Sequence, residues 1–129
     1  MVMTKLEVDI SSEYGIMFLY DSNVHPIFPA EAGKEPVIWT STCLAFSVLI
    51  YVDGDAKVIL SDCRDVQCGA EYFTGEIECP SKAISLYDQN GFAFASVPLS
   101  DSFARVSLRM SEARNPDVVE CVIHNIVTF

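Results

Sequence analysis

The sequence predicts an all-β fold, an antiparallel β-sandwich or partly open barrel of about nine strands with little or no helix. Three observations predict it. Short segments alternate apolar and polar residues with a period of two, most cleanly where Ala104, Val106, Leu108 and Met110 oppose Arg105, Ser107 and Arg109. Asp-Gly and Asn-Gly pairs fall between such segments at Gly54 and Gly91, where a hairpin turn needs positive φ. No stretch long enough for a three-turn helix carries apolar residues at helical spacing.

Each element follows from its residues. Leu6-Glu7-Val8-Asp9-Ile10 alternates strictly and reads as the first strand. Residues 14–20 read as the second, with Gly15 as a bulge. Residues 21–42 contain Pro26, Pro29 and Pro36 with Gly33 and read as loop, with room for one helical turn at residues 30–32. In residues 44–52 both faces are largely apolar, which predicts a central strand. Asp53-Gly54-Asp55 then turns the chain into a hairpin with residues 57–60. Residues 72–79 and 83–87 are two further strands, and Asp88-Gln89-Asn90-Gly91 is a second hairpin turn leading into residues 92–97. Residues 103–110 form a strand, residues 111–116 a partial helical turn, and the β-branched tail at 118–127 the last strand.

The chain has 129 residues, half of them apolar and 20% charged, which excludes disorder and predicts one domain over residues 1–129. Its net charge of −10 excludes direct nucleic-acid binding, which requires a basic footprint, and docking on anionic membranes without calcium. Residues 1–7 lack the basic-then-apolar pattern of an export signal, and the most apolar run, 43–52, is too short to span a bilayer. Cytoplasmic residence follows as the expectation. With it come reduced thiols at Cys43, Cys63, Cys68, Cys79 and Cys121, of which Cys43 and Cys121 sit in apolar strand patterns.

The charge is unevenly spread. Residues 36–52 carry none. Seven acids (Asp53, Asp55, Asp62, Asp65, Glu71, Glu76 and Glu78) against Lys57 and Arg64 give residues 53–78 a net −5, whereas residues 79–129 carry only −1. Such crowding costs folding energy through self-repulsion unless solubility or a basic partner offsets it. Asp53, Asp55, Asp62 and Asp65 could instead gather at one end of a sandwich as calcium ligands, although no twelve-residue calcium loop is present. Cys63, Cys68 and Cys79 lack the paired-knuckle spacing of a zinc site. His124 has no nucleophile motif or glycine-rich oxyanion loop beside it, so a cysteine–histidine enzyme is not expected. Trp39 reads as a lid on the core, with an interface anchor as the competing role.

An opening strand pair, a proline-containing loop ending in Pro36-Val37-Ile38-Trp39-Thr40, a central strand, hairpins and a β-branched tail resemble the DNA-entry nuclease inhibitor (competence protein J) family. More broadly, the chain resembles small acidic bacterial toxin-immunity proteins. The resemblance implies a cytoplasmic stoichiometric inhibitor, not an enzyme, with no cofactor. The expectation is an acidic face (Asp53, Asp55, Asp62, Asp65, Glu71, Glu76 and Glu78, with Tyr72 and Phe73 as aromatic anchors) that binds a basic toxin or nuclease. The alternative is a calcium- or lipid-binding sandwich using the four aspartates.

Overall fold

Period-two alternation decides which side of each strand is buried, and β9 (Phe103–Met110) shows it most plainly. Ala104, Val106, Leu108 and Met110 are buried, while Arg105, Ser107 and Arg109 turn to the opposite side. The computed structural model describes residues 5–30, 34–62 and 69–127. Among them, ten strands form two five-stranded sheets. The first runs β1 (Lys5–Ile10), β5 (Ala56–Ser61), β10 (Val118–Ile123), β9 and β6 (Ala70–Glu78). The second runs β3 (Val37–Trp39), β4 (Cys43–Ser47), β2 (Ile16–Tyr20), β7 (Ala83–Asp88) and β8 (Ala93–Pro98).

One continuous core joins the sheets. Val58 and Leu60 of β5, Cys121 and Ile123 of β10, and Leu108 of β9 meet Met17 and Leu19 of β2, Leu44 and Phe46 of β4, and Leu86 of β7. Burying each large aliphatic or aromatic side chain contributes about 1.5–3 kcal/mol. The second sheet is also apolar on its outer side, where Ile16, Phe18, Cys43, Ala45 and Tyr87 form a separate cluster. Phe28 covers part of it, its ring edge-on to Phe18 at 5.6 Å and to Tyr20 at 5.4 Å. That covering explains why β4 reads as apolar on both faces, and β4 does lie inside its sheet, between β3 and β2.

Several expectations are corrected. Residues 44–52 are not one strand: β4 ends at Ser47, and the chain leaves its sheet through Val48 and Leu49, whose amides bond Gly15 and Pro116 carbonyls, before a 3-10 turn at Tyr51–Asp53. The Asp53-Gly54-Asp55 segment therefore carries the chain from one sheet to the other and closes no hairpin. Gly54 has φ 128°, available without strain only to glycine. β5 pairs instead with β1 and, in parallel, with β10, the one parallel pair among the ten strands of the described residues. The loop at 21–42 contains β3, which is the tenth strand. Gly15, expected as a bulge, lies before β2 with φ 71°, its N–H held by the Ser12 hydroxyl. Residues 111–115 bend without a helical turn, and β10 ends at Ile123. The helical turn at 30–32 reaches outside the described residues. The Asn-Gly turn does form a hairpin, between β7 and β8, with Asp88 N–H donating to the Phe92 carbonyl at 3.1 Å. No helix among the described residues is long and apolar enough to cross a membrane.

Candidate functional site

Five of the nine residues expected to bind a partner lie on β6, and β6 is an edge strand that pairs only with β9 among the described residues. Its register slips between Glu71 and Phe73, so Tyr72 is the extra residue of a bulge, 36% exposed. Beyond the slip, Thr74, Glu76 and Glu78 turn outward, opposite Ser107, Arg105 and Phe103 of β9, and Phe73 and Ile77 turn into the core. Glu71 lies opposite Arg109.

Phe73 is thus not a second exposed anchor beside Tyr72. It is 6% exposed and belongs to the core. Its ring lies over Gly75, where a Cβ would come within 2.8 Å of the ring, so only glycine lets the aromatic ring cover the strand at that point. The other side of the Phe73 environment is Trp39 of β3, whose ring meets it edge-on at 4.8 Å while remaining 54% exposed. Trp39 is therefore more rim than lid.

Glu76 and Glu78 line a cleft of about 400 Å³ together with Ser41, Pro80, Ser102 and Phe103. Its walls are fixed by backbone bonds: Glu78 N–H donates to the Ser41 carbonyl and Cys79 N–H to that of Ser102, both at 2.8 Å. Arg105 borders it, its guanidinium 3.6 Å from a Glu76 carboxylate oxygen and 5.3 Å from the centre of the Phe103 ring. The Glu76 carboxylate and the Phe103 ring face thus hold a cation of the chain's own, the Arg105 guanidinium. Both members of the Arg105–Glu76 pair are more than half exposed, so solvent screens the pair and its contribution to stability is small.

The remaining acids are not gathered here. Asp53 and Asp55 precede β5 and Asp62 follows it, so Asp55 and Asp62 stand roughly 20 Å apart at about 3.3 Å per residue. The calcium set that joins them does not form, and among the described residues no three acid, histidine or cysteine side chains converge on a metal position. Asp65, Cys63 and Cys68 lie outside the described residues. Cys43, Cys79 and Cys121 are buried. Burial pushes the Cys43 thiol up to about 12, and burial together with the Asp21 charge pushes Cys79 up to about 12, far from nucleophilic readiness at neutral pH. His124 follows β10 and shares a 2.8 Å hydrogen bond with the Ser107 hydroxyl.

On the outer side of the first sheet, Arg109 stands between two acids, opposite Glu71 of β6 and Glu120 of β10. Glu120 is fully buried, and neither of its carboxylate oxygens accepts a hydrogen bond among the described residues. Its carboxyl is held above the ordinary range, because burial outweighs the attraction of Arg109 and Lys5.

Sequence reasoning missed Trp39, Ser41 and Phe103 as neighbours of the acidic strand. Trp39 had a local signal, the β-branched run Val37-Ile38 before it, hidden among prolines. Ser41 and Phe103 had none, since only the order of strands brings them to β6.

The class defined by these features is a two-sheet β-sandwich with an acidic edge strand and an adjoining cleft. No protein-family model matches the chain, and no curated protein matches it in sequence. Among solved structures it is similar to ComJ, inhibitor of the DNA-degrading activity of NucA, from Bacillus subtilis, with a TM-score of 0.62 and 8% identity. The match covers 94% of this chain and 98% of that one, so the two share a fold over nearly their whole lengths. The resemblance read from the sequence thus has its counterpart in a shared fold.

Proposed function

We propose that this chain is a non-enzymatic inhibitor that binds a basic protein partner, a nuclease or nuclease toxin, and does so in the cytoplasm through the acidic edge around β6. The observation that carries the reading is the end-to-end likeness to a nuclease inhibitor in a chain with a net charge of −10. A nuclease is positive around its cleft because it must hold phosphates, so an acidic protein competes for the same surface. Glu71, Tyr72, Glu76 and Glu78 make the contact, with Trp39 beside them. Asp53, Asp55, Asp62 and Asp65 add long-range attraction, which raises the rate of encounter more than the final affinity. Phe73 supports this edge from beneath.

The test is to pass a lysate of the source cells over the immobilised chain, elute at high salt, and assay the eluate for DNA degradation. A basic protein that degrades DNA, and is silenced again when fresh chain is added in equimolar amount, is the expected result. Retention of only acidic or non-nucleolytic proteins overturns the proposal.

A further inference from the structure

Three hydrogen bonds fix which backbone groups of β6 point away from β9. Glu78 N–H donates to Ser41, off the sheet. Arg105, opposite Glu76, gives its carbonyl to His124 N–H at 2.9 Å and its N–H to the Asn125 side-chain oxygen at 3.0 Å, on the side of β9 remote from β6. In an antiparallel pair, residues that bond their partner alternate with residues whose N–H and C=O both point away. Phe73, Gly75 and Ile77 are therefore the set bonded to β9, and Thr74, Glu76 and Glu78 the set that points out. Glu78 N–H is occupied by Ser41. Thr74 and Glu76 present a row of backbone donors and acceptors to which no strand is paired among the described residues.

We propose that this row accepts an extended segment of the basic partner as an additional β-strand, with lysine or arginine at alternate positions. The inference rests on the inhibitor reading above for the partner's basic character and deepens it. Strand addition supplies affinity through the backbone and specificity through alternate side chains. Here one alternate set meets Glu76, beside its Arg105 partner, and ends at the cleft where the Glu78 carboxylate, with Ser41 and Ser102, receives a cationic head. The intervening set faces the exposed Trp39 and is apolar. A second copy of this chain is the wrong occupant: antiparallel self-pairing would bring the glutamates of β6 against one another, and like charges across a strand pair are repulsive.

The probe is an octapeptide of alternating lysine and valine, titrated into the ¹⁵N-labelled protein, with a counterpart N-methylated at every residue as control. The two peptides share side chains and charge, but the control cannot pair as a strand. The parent peptide should shift the Thr74 and Glu76 amides and slow their hydrogen exchange, and the control should bind about tenfold or more weakly. Thr74→Pro, which removes an outward N–H and no bond to β9, should abolish binding of the parent with the melting temperature nearly kept. Equal binding of both peptides, shifts confined to other strands, or no binding at millimolar peptide overturns the strand-addition proposal. The nuclease assay separates the two readings. Inhibition undiminished in Thr74→Pro leaves the inhibitor standing and removes the edge, whereas absence of inhibition by the unaltered chain removes the inhibitor.

Discussion

Asp21 and Ser81, 60 residues apart in sequence, are joined by two hydrogen bonds: the Ser81 hydroxyl donates to one carboxylate oxygen at 2.5 Å and the Ser81 N–H to the other at 2.8 Å. Asp21 directly follows β2 in one sheet, and Ser81 sits in the turn that brings the chain from β6 of the other sheet to β7. The bond therefore pins the turn containing Pro80, a wall of the acidic cleft. The Asn23 N–H donates a third bond to the carboxylate at 2.9 Å.

Replacing Asp21 should consequently weaken both the fold and the cleft. Burial alone would raise its carboxyl pKa, but the bonds from Ser81 and Asn23 outweigh burial and hold it below the usual carboxylate range. A depressed carboxylate contributes stability that is fully present above its unfolded pKa and is lost as pH falls through the folded one. Asp21→Ala is expected to cost about 2 kcal/mol near neutrality, the order of hydrogen bonds lost from a charged, buried carboxylate. The difference from the unaltered chain should shrink in strongly acidic urea titrations. A difference that is constant with pH would contradict the role assigned to the charge.

Glu120 behaves in the opposite sense. Its carboxyl is raised by burial, so the folded state binds the proton more tightly than the unfolded chain does. The stabilisation from this linkage is present below the ordinary carboxyl pKa and disappears as pH rises through the raised value. At neutral pH the charge is a net cost, and Glu120→Gln, which keeps the shape and polarity but removes the charge, should raise stability. The gain should vanish in acid, where both side chains are neutral. Loss of stability at neutral pH would mean that attraction to Arg109, across the β9–β10 pair, exceeds the cost of burial.

Local chemistry made part of this legible in advance. The alternation of β9 and the Asn-Gly hairpin of β7 and β8 were both written in neighbouring residues, and both formed as read. The same logic misread Asp53-Gly54-Asp55, because a glycine turn between two apolar runs looks identical whether the chain folds back or crosses to another sheet. Pairing of β5 with β10 in parallel joins Val58 to Val119, a contact on which no local pattern bears. For the candidate site, the excess of acids on residues 71–78 was visible, but edge position was not. Phe73 faces inward in phase with Ile77 and Cys79, an alternation the sequence does carry; what it hides is the bulge at Tyr72, which re-phases only the residues before it.

The buried thiols should be inert in the folded protein. With the Cys43 and Cys79 thiols pushed up to about 12, less than about one part in a thousand is thiolate at pH 8. Iodoacetamide applied to the native protein should leave both unlabelled by peptide mass mapping, and labelling should rise with the denaturant unfolding curve. Rapid labelling of Cys79 in the native state would show that the turn at Pro80 opens independently of Asp21.

Place on the surface, rather than total charge, should decide how the acids act on a basic partner. Glu76 and Glu78 lie together on the edge strand, whereas Asp53 and Asp55 precede β5, three strands away in the same sheet. Paired lysine substitutions at either site change the net charge equally. Because fields are screened beyond about 10 Å at 0.1 M salt, only charges near the contact keep their influence as ionic strength rises. Glu76→Lys with Glu78→Lys should slow association with the inhibited nuclease by about tenfold at low salt and flatten the dependence of the rate on salt. Asp53→Lys with Asp55→Lys should produce a much smaller change that disappears above physiological salt. Neither pair should alter stability by more than about 1 kcal/mol, since the one ion pair broken, Glu76 with Arg105, is exposed. Stopped-flow rates for both variants across ionic strength distinguish the cases. Equal slowing by the two pairs would mean that the partner reads the net charge alone and that the edge of β6 is not where it docks.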